Sequence, residues 1–178
     1  MIYLASKSPR RAELLRQIGI EFVVQALDID ESRGPTESPT EYVSRMAKTK
    51  AAVVAEQLDG QQQPYAVLAA DTTNAVDGDT IGKPANGEQF HSILQQVSGR
   101  QHLVLSDVAL ATPVNVELRL TQNRVSFRSL SASEIESYCA TGEPMDKAGA
   151  YAIQGMAAIF IEHLEGSYSA VMGLPLYE

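Results

Sequence analysis

The run Ser6-Lys7-Ser8-Pro9-Arg10-Arg11 places three cations and two further hydroxyl-bearing residues within six positions. It stands between an apolar segment and a helix start. Free backbone N–H groups at a helix N-terminus and two forked guanidiniums together suit phosphate oxygens. Four of the fourteen Lys and Arg residues fall within positions 7 to 16, a positive island in an acidic chain. A capped helix with its arginines in solvent would carry the same letters. Asp71 follows the apolar run 65–70, where a chain leaving a sheet commonly opens a ligand cleft. A carboxylate there can orient water, hold a divalent cation or accept a proton; the competing role is a cap on a turn through Thr72 and Thr73. Glu31 ends the run Asp28-Ile29-Asp30-Glu31 and is either a hard oxygen donor of the kind Mg²⁺ and Mn²⁺ prefer or part of a solvated loop. Lys83 lies in Ile81-Gly82-Lys83-Pro84, where Gly admits close approach and Pro stiffens the exit, so the lysine is expected to be held. By pattern alone Lys50 reads as the solvated face of a long helix. The tract 141–155 is rich in Gly and Ala yet carries Glu143, Asp146, Lys147 and Gln154. It reads as a loop that makes contacts through its backbone.

The elements that must position these groups alternate between extended and helical patterns, which predicts an α/β domain with a mixed sheet of six or seven strands. A strand over 2–5 leads to a helix capped at Ser8, with Pro9 in its first turn, a buried face of Leu14, Leu15 and Ile18, and a stop at Gly19. A second strand is expected over 21–25. Ser38 with Glu41 forms a capping box for a long helix reaching about Leu58. Residues 61–64 read as a surface loop and 65–70 as a buried strand. Asp77-Gly78 reads as a tight hairpin between 73–76 and 80–81. Phe90, Ile93, Leu94 and Val97 recur at helical spacing behind Asn86 and Gln89, with Gly99 as the stop. Strands are expected over 101–112, 116–127 and 157–162, with a helix from Ser131 to near Gly142 between the last two. One domain spanning 1–178 accounts for the whole.

Composition excludes several classes. With 14 Lys and Arg against 22 Asp and Glu the net charge is −8, so generic attraction to a nucleic acid polymer is missing. The apolar runs 65–70 and 156–161 fall far short of the roughly 18 residues a membrane span needs. The start lacks the charge-then-apolar order of a signal peptide, so a cytoplasmic location is expected. One Cys139 makes no intrachain disulfide, and the three His show no zinc spacing. Neither the dinucleotide nor the P-loop glycine pattern occurs.

Taken in order along the chain, Leu4-Ala5-Ser6-Lys7-Ser8-Pro9-Arg10-Arg11, Ala70-Asp71-Thr72, Gly82-Lys83-Pro84, Ser98-Gly99, and Gly166-Ser167-Tyr168 through Gly173-Leu174-Pro175-Leu176 resemble the Maf family of nucleoside triphosphate pyrophosphatases. The resemblance implies an elongated mixed sheet flanked by helices, two-lobed with a central cleft, of the Maf/ITPase-like kind. It implies cleavage between the α and β phosphates with a divalent metal cation (Mg, Mn or Co), and a homodimer. Carried over by motif, Asp71 is similar to the proton acceptor; Ser8, Arg10, Arg11, Lys50 and Lys83 look like phosphate-handling groups, and Glu31 assists with metal or water. Catalysis is thus expected of Asp71, Glu31 and Lys83, and metal binding of Glu31 and Asp71. The tract 142–155 looks like the branch acting on dTTP and UTP, in which Arg10, Thr72 and Gln154 are tied to substrate choice. The 7-methyl-GTP branch carries Glu where Gln154 stands. Ala70, Asn74 and Ala170 depart from the usual Gly, apolar residue and Asn. Two alternatives remain at this stage: a nucleotide-binding regulator of cell division and septum formation, and a pyrophosphatase for a modified purine nucleotide such as 7-methyl-GTP. A triphosphate brings about four negative charges to this acidic protein, so binding demands local cations.

Overall fold

The computed structural model describes residues 1–60, 64–143 and 147–178, so Gln61–Gln63 of the expected loop and Pro144–Asp146 of the Gly-rich tract lie outside the described residues. The chain begins with strand β1 (Ile2–Leu4) and helix α1 (Pro9–Gln17). Pro9 occupies the first turn as expected, but the Ser8 side chain makes no capping bond. Ser6 instead fixes the residue before the helix, its Oγ accepting the Ser8 N–H at 3.1 Å. Gly19 ends the helix at φ 74°. Leu14 and Leu15 are buried, whereas Ile18, expected beside them, is 50% exposed because the helix has already finished at Gln17. Strand β2 is only Val23–Val24, shorter than the expected 21–25. It pairs on one side alone, as the sheet's edge.

Helix α2 (Pro39–Leu58) carries the full Ser38–Glu41 capping box, worth about 1 kcal/mol. Its buried face, Val43, Met46, Ala47, Ala51, Val54 and Leu58, recurs at the helical period and packs on the sheet. Strand β3 (Ala66–Val76) is continuous through Asp71. That corrects the expected strand break after Ala70 and removes the turn-cap role for Asp71. The polar residues 71–74 stay in the strand because partners from elsewhere satisfy them. The Asp77-Gly78 turn forms as expected, with both residues at positive φ (52° and 89°), and leads into β4 (Asp79–Ile81). Then follow α3 (Gly87–Val97), capped by Asn86, β5 (Gln101–Ala111), β6 (Val116–Phe127) and α4 (Ala132–Ala140), capped by Ser131 and Glu134. The expected strand over 157–162 is mostly a 3₁₀ helix, Met156–Phe160. Its buried residues, Ala157 and Phe160, are three apart, the spacing of that helix rather than of a strand. Strand β7 (Ile161–Glu165) and helix α5 (Tyr168–Met172) complete the fold.

The sheet has seven strands in the order β2-β1-β3-β5-β6-β7, with β4 on β3. Strand β1 runs parallel to both neighbours; the other pairs are antiparallel. On one edge of β3, β1 pairs with residues 66–68 and β4 with 74–76. Among the described residues no strand covers 69–73 on that edge, and Asp71 lies at the centre of the gap. The core divides accordingly. At one end Phe90, Leu94, Val97 and Tyr138 from α3 and α4 pack on Val104 and Phe127 of the sheet. At the other, α2 covers Val67, Ala69 and Ala109, while α1 packs through Leu14 and Leu15 onto Leu4 and Leu174. Each fully buried Val, Leu or Phe side chain among these contributes roughly 1.5–3 kcal/mol. Among the described residues no helix is long and apolar enough to cross a membrane.

Candidate active site

The gap in β3 opens onto a cleft of about 920 Å³. It is bounded by the start of α1, the loop before α2, the middle of β3, the Gly82-Lys83 segment, the loop 147–154 and the end of α5. All nine residues singled out from sequence line it: Ser8, Arg10, Arg11, Glu31, Lys50, Asp71, Thr72, Lys83 and Gln154. Seven Lys and Arg side chains among the described lining residues face three carboxylates, Asp28, Glu31 and Asp71, in a chain of net charge −8. The cleft is therefore a local cationic basin.

Its centre is a three-residue ion cluster. Lys50 reaches from α2 to within 2.6 Å of Asp71 Oδ1 and 2.6 Å of Glu31 Oε1. The solvated-face reading of Lys50 is thus wrong: only 15% of its side chain is exposed, because this helix turn points at the gap in the sheet. Glu31 is delivered by a loop rather than by an element, and the loop is anchored. The Tyr42 hydroxyl donates to the Glu31 carbonyl at 3.0 Å, and Arg45 donates to the Ser32 carbonyl at 2.9 Å. Partial burial works against the Glu31 charge, but the hydrogen bond and ion pair with Lys50, aided by Lys83 and Arg11, hold its carboxyl below the usual range. Burial, together with the charges of Asp71 and Glu31, pushes the Tyr42 phenol up to about 12.

Arg11 is fixed at both faces of its guanidinium, donating from Nε to the Gly173 carbonyl at 2.7 Å and from Nη1 to Ser6 Oγ at 3.1 Å. Burial pulls its pKa down, with Asp71 opposing and Arg10 reinforcing the shift. Gly173 closes α5 at φ 125°, a conformation that disfavours any side chain. Among the described residues neither Arg10 nor Lys83 has an ion-pair partner. Lys83 is exposed on the rim rather than held, since its neighbours offer no carboxylate within bonding reach; its charge is felt at Glu31 across the open cleft.

Successive residues of β3 serve opposite faces. Asp71 meets α2 through Lys50, while Thr72 shares a 2.8 Å hydrogen bond with Ser106, whose hydroxyl donates to the Ala170 carbonyl of α5 at 2.6 Å. Gln154 is exposed on the opposite wall. Sequence reasoning missed Tyr42 and Ser106, and placed Ser6 in the right run without its role. It also missed Asp107, the register partner of Asp71 on β5, which is 1% exposed and accepts a hydrogen bond from Ser44 of α2. Only the cross-strand register could have shown that the two carboxyls share a face.

The arrangement offers oriented carboxylate oxygens, cations without carboxylate partners and a backbone-fixed guanidinium around one open volume, groups that suit a polyphosphate ligand. Residues 1–178 match the family described as Maf-like protein. The dTTP/UTP pyrophosphatase of Aromatoleum aromaticum is 50% identical, with 99% of this chain and 91% of that protein aligned. The dTTP/UTP pyrophosphatase of Hahella chejuensis is 48% identical over 99% of this chain and 88% of its own length. Among solved structures, the Staphylococcus aureus Ham1 protein aligns with 71% of this chain and 70% of its own, at 16% identity and a TM-score of 0.48.

Proposed function

The chain belongs to the Maf family, and from that premise we propose that it is a cytoplasmic nucleoside triphosphate pyrophosphatase hydrolysing dTTP and UTP to the monophosphate and pyrophosphate. The observation that carries the reading is the Lys50 ammonium bridging Asp71 and Glu31 at the centre of a cationic cleft in an acidic protein. In the reaction a water oxygen bonds to the α phosphorus while the bond from that phosphorus to the bridging oxygen of the β phosphate breaks. Lys50 fixes Asp71 through Oδ1, leaving Oδ2 to accept the proton of the attacking water. Pyrophosphate departs with the electrons of the broken bond, and Arg10 and Lys83, two cleft cations without carboxylate partners, neutralise its charge. Arg11, held by Ser6 and Gly173, orients the phosphate chain. Ser8 at the start of α1 adds a hydroxyl, its own N–H being held by Ser6 Oγ. Thr72, Arg10 and Gln154 bear on the choice of base and sugar.

Glu31 and Asp71 suit a hard divalent cation, because they already converge on one positive charge, the Lys50 ammonium. Among the described residues no group of three or more acidic, His or Cys side chains gathers, so substrate phosphate oxygens and water would complete such a site, the usual situation for Mg²⁺. When bound, the ion would supply neutralisation of phosphate charge. The deciding experiment compares pyrophosphate release from dTTP, UTP, GTP and 7-methyl-GTP, with and without added Mg²⁺, Mn²⁺ or Co²⁺ after exhaustive chelation. Preferential, metal-restored release from dTTP and UTP is expected. Release of orthophosphate instead, or preference for a purine, overturns the assignment. The homodimer implied by the resemblance is part of the same proposal, and light scattering at micromolar concentration tests it.

A further inference from the structure

The chemistry above leaves unused a buried polar chain at the end of the cleft away from Lys50. Asn74, three residues beyond Asp71 on β3, is 3% exposed. Its Nδ2 donates to the Ala148 carbonyl at 3.2 Å, and its amide lies near enough to the Tyr151 hydroxyl to favour the phenol's charged form against burial. That hydroxyl lies 2.8 Å from Nε2 of His102, itself 2% exposed. Burial keeps both ends of this pair neutral, pushing the Tyr151 phenol up and the His102 imidazole down to about 4. The chain therefore consists of directional hydrogen bonds without an ion pair.

These groups strap one segment. Gly149, at φ 73°, backs onto Asn74 so closely that a Cβ would run into the side-chain amide, and its N–H donates to the Gly82 carbonyl at 3.2 Å. Ala150, wholly buried, also adopts a left-handed conformation, φ 59°, which a residue with a Cβ keeps only where its surroundings impose it. The Ala152 N–H donates to the Tyr138 hydroxyl at 3.3 Å. Thus 148–152 is clamped from beneath while Gln154, two residues on, stands exposed on the cleft wall. A buried amide held by a directional hydrogen bond specifies one arrangement where an apolar residue would only fill space.

We propose that Asn74 is a specificity-positioning residue: through Ala148, Gly149 and Tyr151 it sets where the loop presents Gln154, and so tunes selectivity for pyrimidine nucleoside triphosphates without touching the phosphates. The proposal rests on the reading of Gln154 as the group that meets the base. The test measures kcat and KM for dTTP and GTP on the full chain carrying Asn74→Leu, Tyr151→Phe or Gln154→Glu. Asn74→Leu is expected to lower the dTTP/GTP ratio of kcat/KM about tenfold, through KM for dTTP rather than through kcat. Tyr151→Phe keeps the ring against His102 and Phe127 and lowers the ratio by a smaller factor; it decides the matter if Asn74→Leu does not fold. If Gln154→Glu leaves the ratio unchanged, the base reading falls and takes this proposal with it. If Gln154→Glu shifts the ratio while Asn74→Leu and Tyr151→Phe do not, or lower kcat equally on both nucleotides, the positioning role alone is overturned.

Discussion

The two ends of the cleft are held by different physics. Around Asp71 the side chains are charged: one ammonium serves two carboxylates, and a guanidinium is pinned by a carbonyl and a hydroxyl. Around Asn74 they are neutral and buried, an amide, a phenol and an imidazole linked one to the next. The charged end gains by proximity to a polyanion and tolerates an open, wet setting, because Coulomb attraction acts over several ångströms. The neutral end acts only through contact and angle. That division suits a ligand whose phosphates are common to all nucleotides and whose base is not: charge binds the shared part, and shape with hydrogen bonding reads the variable one.

The comparison breaks most sharply at Asp71. Asp71→Asn keeps the size and removes the proton acceptor, so turnover is expected to fall by roughly 10²- to 10⁴-fold on every nucleotide, with binding of a non-hydrolysable analogue retained. Near-normal turnover with metal present would erase the distinction between a reacting end and a reading end.

The neutral end is next, through pH. Burial holds His102 at about 4 in the fold, against about 6.5 in an unfolded chain. The unfolded chain therefore takes the proton first. The contribution is whole above pH 6.5 and is lost as pH falls toward 4, by at most about 3 kcal/mol. Thermal unfolding of wild type and His102→Gln between pH 7 and 4 measures it, and the variant should show the shallower decline. Identical slopes would mean that the imidazole is not held neutral by its burial.

The smallest effect sharpens the comparison from the charged side. Gly173→Ala forces a side chain to φ 125° and displaces the carbonyl that holds Arg11, at a cost of about 1–3 kcal/mol. If Arg11 orients only the phosphates, as proposed, KM should rise by the same factor for dTTP and GTP. A change in their ratio would show that the two ends are coupled.

Local chemistry made much of this legible. The caps at Ser38, Asn86 and Ser131 and the Asp77-Gly78 turn are where the sequence puts them, because each is decided by residues within four positions. The middle of β3 was not legible. Asp71 and Thr72 read as a break between a strand over 65–70 and a hairpin strand over 73–76, yet Lys50, Ser106 and Ala148, the partners of Asp71, Thr72 and Asn74, lie 21, 34 and 74 residues away. No window reads such distances. The run after Gly155 failed for another reason: Ala157 to Phe160 is too short for its apolar pattern to separate a strand from a 3₁₀ turn. Lys50 shows the converse, a residue ordinary by pattern and central by position, which motif order along the chain identified and periodicity did not.

The bond from Arg11 to the Gly173 carbonyl spans 162 residues of chain. At a synthesis rate of about 5–20 residues per second, Arg11 is made roughly 8–30 s before its acceptor. Over that interval the later cleft cations, Lys50 and Lys83 among them, are added in turn while this one has no fixed seat. The cleft is thereby completed only once residue 173 has been made, and a nascent chain stalled before Gly173 would carry Asp71 and Lys50 without the carbonyl that seats Arg11.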